Sequence, residues 1–212
     1  VLLERLARGE VLALVSDAGT PLVSDPGYKL VEACIEAGVP VVPVPGPSAV
    51  LAALSGAGLP TDRFLFAGFS PPKEAARRRF LGELTAVPAT LILFETGPRL
   101  AAMLADAASV FGDRRAAIGR DLTKFYEEFR RGRLASLAAH YAEAPPPKGE
   151  IVVVIDGPRA GDAPAPVPDL DEALQAALAH SSLTQAVAEV SARLGRNRRE
   201  VYAAALRLTG AK

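Results

Sequence analysis

Strand-sized apolar runs alternate along this chain with amphipathic, helix-sized stretches, and loops containing Gly or Pro separate many of them. That alternation restricts the fold more than any other feature. A strand buried on both faces and followed by a helix leads to a parallel or mixed sheet covered by helices. Residues 11–15 (Val-Leu-Ala-Leu-Val) carry no polar position, and residues 41–44 are again apolar, so both predict strands. Leu2, Leu3, Leu6 and Ala7 mark a helix ended by Gly9, and Leu30, Val31, Cys34 and Ile35 mark another that stops at Gly38. An Ala-rich helix follows Ser48 and ends near Gly58.

From residue 62 onward the pattern predicts strands at 64–69, 90–94, 116–119 and 151–155, with helices at 74–84, 98–111 and 134–142. Residues 160–168 are rich in Pro and Ala and read as a linker. Helical patterns then recur at 171–180, 184–194 and 199–208, with Gly195 between the last two, as in a helix-turn-helix unit. The expectation is an α/β protein with two α/β domains, the first built on a parallel sheet and the second on a mixed one, plus a small C-terminal helical module. The boundaries fall at 1–60, 61–159, 160–168 and 169–212. The chain opens on Val-Leu-Leu-Glu-Arg-Leu, inside an amphipathic helix, so a preceding segment is expected.

Composition removes several function classes. Cys34 is the one cysteine, which excludes an intrachain disulfide and fits a reducing, cytoplasmic setting. The apolar runs fall far short of the ~20 residues of a membrane span, so no membrane partner is expected. His140 and His180 are isolated and form no metal-ligand spacing with Cys34, so no metal is expected. Neither a G-x-G-x-x-G fingerprint nor a G-x-x-x-x-G-K-[ST] loop occurs.

Chemistry is expected at the strand ends, where open sheets bind ligands. The loop 16–27 places Asp17, Ala18, Gly19 and Thr20 at such an end. Gly19 permits close backbone approach, and Asp17 offers a carboxylate to hydroxyls, an amine or a sulfonium. Asp25 and Pro26 read instead as the cap and first position of the next helix. Pro45-Gly46-Pro47-Ser48-Ala49 is open to two readings, a helix cap at Ser48 or a ligand-facing turn. At 94–99, Thr96 reads as a cap, with Glu95 and Arg99 as charges at a strand end. Arg120-Asp121-Leu122-Thr123-Lys124, followed by Glu127 and Glu128, reads either as a solvated face or as a lysine beside carboxylates, one arrangement for handling a hydroxyl proton.

Lys and Arg together balance Asp and Glu, 24 to 24, yet the cations are clustered. In the tail, Arg196, Arg198 and Arg199 surround the start of a helix, where phosphate contacts are favourable. A merely solubilising surface is the competing account.

Taken in order, these motifs resemble the ribosomal small-subunit RNA methyltransferase I family of the tetrapyrrole methylase superfamily. The likeness rests on Ser16-Asp17-Ala18-Gly19-Thr20-Pro21, Ser24-Asp25-Pro26-Gly27, Pro45-Gly46-Pro47-Ser48-Ala49, Gly58-Leu59-Pro60-Thr61-Asp62-Arg63-Phe64, Phe94-Glu95-Thr96, Arg120-Asp121-Leu122-Thr123-Lys124 and Lys148-Gly149-Glu150. The resemblance implies 2′-O-methylation of a cytidine in small-subunit (16S) ribosomal RNA, with S-adenosyl-L-methionine (AdoMet) as methyl donor. It also implies a homodimer acting on that RNA or on the 30S particle. By motif, Asp17, Ala18, Gly19, Thr20, Ser48, Ala49, Phe94 and Glu95 would line the AdoMet site, and Lys124 and Arg120 would act on the RNA side. After Glu95 many relatives carry Ser-Thr-His-Arg; this chain has Thr96-Gly97-Pro98-Arg99. A methyltransferase for a corrin or porphyrin precursor is the alternative on the same scaffold. A non-enzymatic RNA-binding protein would leave the strand-end loops without a use.

Overall fold

The structure, a computed structural model, describes residues 1–158, 170–194 and 197–209. The expected linker at 160–168 lies outside the described residues. Three helices come first: α1 (Leu2–Ala7), α2 (Tyr28–Glu36) and α3 (Ala49–Ala57). There follow β1 (Phe64–Phe69), α4 (Glu74–Leu84), β2 (Thr90–Thr96), α5 (Gly97–Phe111), β3 (Arg115–Arg120), β4 (Glu128–Arg133), α6 (Leu134–Glu143) and β5 (Glu150–Ile155). The tail holds α7 (Leu170–Leu178), α8 (Leu183–Leu194) and α9 (Arg198–Thr209).

The sheet is mixed, with order β1-β2-β5-β3-β4. β1 and β2 are parallel and joined through α4, whereas β2–β5, β5–β3 and β3–β4 are antiparallel. The two-residue period of a strand decides which layer each side chain enters. Leu91, Leu93, Ile118, Ile151 and Val153 pack on Leu81 of α4, Leu100, Met103 and Leu104 of α5, and Leu137 of α6. Ile92, Ala117, Val152 and Val154 point the other way, onto Val50, Ala53 and Leu54 of α3. Covering both faces explains why β2 and β5 are apolar without alternation. Between α4 and α5 the buried Arg77 pairs with Asp106 at 2.6 Å, so neither charge is left alone in the core.

Two expected strands do not form. Residues 11–15 and 41–44 are irregular, and Val11, Val15, Val42 and Val44 are largely exposed. An apolar run becomes a strand only when a neighbour accepts its backbone hydrogen bonds, and neither run has a ladder partner among the described residues. Pro43 further removes a donor from the second run. The expected parallel sheet of the first domain is therefore not present among the described residues. A third correction concerns Asp25: α2 starts at Tyr28 with Gly27 at its N-cap, so Asp25 is not a cap and Pro26 is not the first helical residue.

The strand β4, Glu-Phe-Arg-Arg-Gly-Arg, has no apolar run to reveal it. It is an edge strand, and charges at an edge discourage pairing with other chains. Its Phe129 rests where a Cβ on Gly56 would stand, while Arg131 lies over the Phe129 ring and donates to the Gly56 carbonyl.

The tail packs its own core from Leu174, Val187, Val190 and Val201 with small alanines. At the start of α8 the Ser182 N–H and Oγ both donate to Gln185 Oε1, at 3.2 and 2.8 Å. Asn197 opens α9 by accepting the Arg199 N–H at 2.9 Å.

Candidate active-site cleft

One cleft of about 410 Å³ collects the strand-end loops. Its lining includes Asp17, Ala18, Gly19 and Thr20, then Ser48 and Ala49, then Phe94 and Glu95, which are the eight positions singled out as cofactor-binding. The volume lies in the range of small-molecule sites. Among the described residues no group of His, Cys, Asp or Glu is placed to hold a metal.

Local bonds explain how the first two of these segments meet. Ser16 Oγ donates to Asp25 Oδ2 at 2.5 Å, closing the first loop on itself, which is the role Asp25 takes in place of capping. Thr20 Oγ1 donates to the Pro47 carbonyl at 2.8 Å and fastens that loop to the turn before α3. Ser48 does cap α3, accepting the Leu51 N–H at 3.4 Å, so at this position the cap and the cleft wall coincide. Gly19, at φ 69, takes a backbone that other residues rarely adopt.

The aromatic wall comes from β1 and β2. Phe94 meets Phe66 and Phe69 edge to face, with centroids 4.7 and 5.6 Å apart. Beside it the buried Glu95 carboxylate is already engaged: Oε2 accepts from Ser70 Oγ at 2.5 Å, and Oε1 accepts from the Thr96 N–H at 2.8 Å. Arg99, in the first turn of α5, completes the cluster, with its Nε 3.2 Å from Oε1. Glu95 therefore holds the wall together, and its carboxylate has little capacity left for a ligand. Thr96 is the N-cap residue of α5, although its side chain makes no capping bond.

Gly149–Val152 supply a further part of the lining, and the loop after β3 is bonded to them from behind. Asp121 and Glu150 bond reciprocally, the Asp121 N–H to the Glu150 carbonyl at 2.9 Å and the Glu150 N–H to Asp121 Oδ1 at 3.1 Å. Gly149 sits between them at φ 98, where a Cβ would collide with the Asp121 carboxylate. Lys124 Nζ lies 3.0 Å from Glu150 Oε1; Glu150 lines the cleft, and Lys124 itself does not. Arg120 does not line the cleft. It pairs at 3.0 Å with Glu128, its cross-strand neighbour on β4. Arg198 and Arg199 are exposed at the start of α9, and Arg196 lies outside the described residues.

Sequence reasoning missed Phe69 and Ile151–Val152 as cleft-forming residues, and Ser70, which holds Glu95 in place. Ser70 directly follows β1, so the strand-end rule that found Glu95 would have found it too. A second depression of about 440 Å³ carries Arg115, Arg131 and Arg133, but these are engaged by Asp156, the Gly56 carbonyl and the Asp113 carbonyl.

A mixed sheet between helices, with a cleft over its strand ends, is the architecture of the tetrapyrrole methylases. A family model described as Tetrapyrrole (Corrin/Porphyrin) Methylases matches residues 1–138, and one described as RsmI C-terminal HTH domain matches 164–209. The fold is shared with the crystal structure of the methyltransferase CobJ, at a TM-score of 0.53 and 21% identity, covering 76% of this chain and 71% of that one. Closer in sequence is Ribosomal RNA small subunit methyltransferase I of Mesorhizobium japonicum, 50% identical over 98% of this chain and 70% of its own length. Its counterpart in Micromonospora olivasterospora is 52% identical over 84% of this chain and 55% of its own length. The chain belongs to the ribosomal RNA small subunit methyltransferase I family. It spans between 55% and 70% of the length of these two relatives.

Proposed function

We propose that the protein transfers the methyl group of AdoMet to the ribose 2′-hydroxyl of a cytidine in small-subunit (16S) ribosomal RNA. The observation that carries this reading is the single cleft that gathers Asp17–Thr20, Ser48–Ala49 and Phe94–Glu95, with Lys124 paired to Glu150 at its rim. A chain half identical to proteins of that name supports the choice of RNA over a macrocycle.

AdoMet supplies a sulfonium methyl, a strong electrophile, when bound. The cleft suits it: Phe94 and Phe69 offer an apolar wall, the loop at 17–20 offers backbone groups and a carboxylate, and the volume is adequate. A ribose hydroxyl is a weak nucleophile, so the protein's contribution is to hold it in line with the methyl and to receive its proton. Positioning alone can reach effective molarities of ~10⁵ M or more. Lys124 orients the hydroxyl with Glu150 as its partner or, once its own ammonium proton has passed to solvent, receives the hydroxyl proton as a neutral amine, and Arg120 supports the same rim through Glu128. Arg196, Arg198 and Arg199 hold RNA phosphates. The protein works as a cytoplasmic homodimer on the RNA or the 30S particle, without a metal. Among the described residues no helix is long and apolar enough to cross a membrane.

The test is methyl transfer from labelled AdoMet, offered small subunits that lack the modification and, separately, a porphyrin or corrin precursor. Label on a cytidine 2′-oxygen is expected. Label on the macrocycle alone would replace this reading with the alternative.

A further inference from the structure

The loop between β3 and β4, residues 121–127, displays two neighbouring rings to solvent: Phe125 is 92% exposed and Tyr126 68%. One exposed apolar side chain is ordinary, but two adjacent aromatics forgo the burial that usually places Phe in a core. The loop is tightly held. Asp121 and Thr123 take left-handed backbone, at φ 47 and 64, a conformation that non-glycine residues keep only where their surroundings impose it. The surroundings do so here. Besides the reciprocal bonds between Asp121 and Glu150, the Thr123 N–H donates to Glu127 Oε2 at 2.7 Å, and the Lys124 N–H donates to the Asp121 carbonyl at 2.9 Å. The rings themselves meet edge to face, with centroids 5.0 Å apart and planes at 88°, so each steadies the other.

Their position is informative. Lys124 reaches the cleft wall through Glu150, and the two rings are the next two residues, within ~8 Å of it along the backbone. Cations stand close by: Lys124 adjoins the rings, and Arg120 and Arg130 lie on the two strands that the loop joins. Aromatic faces in a basic setting suit unpaired nucleotides, because every base has a face to stack while the phosphates meet the cations.

We propose that Phe125 and Tyr126 form a stacking platform for unpaired RNA bases flanking the nucleotide whose ribose enters the cleft. The proposal rests on RNA being the substrate. A ribose inside a continuous helix cannot be presented to a cleft, so its neighbours must unstack, and a rigid aromatic pair at the rim replaces the stacking they lose.

The sequence has no tryptophan, so Phe125→Trp places a fluorescent reporter on the platform. A single-stranded oligoribonucleotide of mixed sequence should quench its emission, and the same strand annealed to its complement should not. Phe125→Ala and Tyr126→Ala should each weaken binding of that single strand by roughly five- to a hundredfold. Leucine at either position should fail to restore affinity, Phe125→Trp should retain it, and AdoMet affinity should not move. An unquenched indole, or alanine variants that bind the strand like the parent, would overturn the platform. So would variants that turn a dimeric parent monomeric, since the rings would then be an interface between copies. Methyl transfer to small subunits by the parent is measured alongside. If it proceeds while the platform variants behave as the parent, the platform alone fails; if it is absent, the substrate reading fails with it.

Discussion

Ser70 Oγ donates a 2.5 Å hydrogen bond to Oε2 of Glu95, and both side chains are buried. This bond ties the end of β1 to the end of β2 beneath the cleft, with Arg99 as third member. Ser70→Ala removes a donor from a buried carboxylate and should cost about 1–3 kcal/mol of stability. Glu95→Ala should cost more, because it leaves the Arg99 guanidinium without its carboxylate. Urea unfolding measures both, and a change below about 0.5 kcal/mol for Ser70→Ala would be no more than an ordinary surface substitution gives.

Asp17→Ala and Ser48→Trp, in a protein extended to the length of its relatives, should each weaken AdoMet binding by roughly tenfold or more. The first removes a carboxylate from the cleft and the second fills it. Ser48→Trp also removes the α3 cap, at about 1 kcal/mol, so the far-ultraviolet spectrum must confirm the fold. Titration calorimetry showing parental affinity for both variants would take these two loops out of the site.

Lys124→Ala should lower turnover at saturating substrate by about 10²–10⁴-fold, the range for a positioned acid or base. Because Lys124 pairs with Glu150, Glu150→Gln should also lower turnover, but by less than Lys124→Ala. A Lys124→Ala enzyme with full kcat would remove Lys124 from the chemistry, whatever happened to RNA affinity.

Reversing Arg196, Arg198 and Arg199 to Glu should weaken binding to small subunits. It should also flatten the salt dependence by roughly one unit for each phosphate that is no longer neutralised. AdoMet affinity should stay the same. A triple variant that keeps the parental affinity and slope, or that becomes monomeric, would assign the tail to assembly or solubility.

Much of the sheet was legible in the chain because its buried strands are apolar throughout. β5 and the apolar part of β2 follow directly from residues 151–155 and 90–94, and α4 from the pattern at 74–84. β4 was hidden because its charges serve an edge rather than a core. Residues 11–15 and 41–44 show the opposite failure, since apolarity signals a strand only if a neighbour exists to pair with it. Phe94 and Glu95 were legible through their place at the end of β2, whereas the loops at 17–20 and 48–49 were assigned to the ends of strands that do not form. The Ser70–Glu95–Arg99 cluster was half legible: Glu95 and Arg99 flank one strand-to-helix junction, but Ser70 joins them only through the pairing of β1 with β2. The rim was harder still, because Asp121 and Glu150 are separated by a strand and a helix.

The reciprocal bonds between Asp121 and Glu150, closed over a Gly149 with no room for a Cβ, leave the two segments of the rim little freedom to part. For the activity proposed, the bending needed at the moment of encounter then falls on the nucleic acid. Segments that unwind at low cost reach the cleft and stiff helices do not, so the choice of target is written partly into the mechanical softness of the RNA itself.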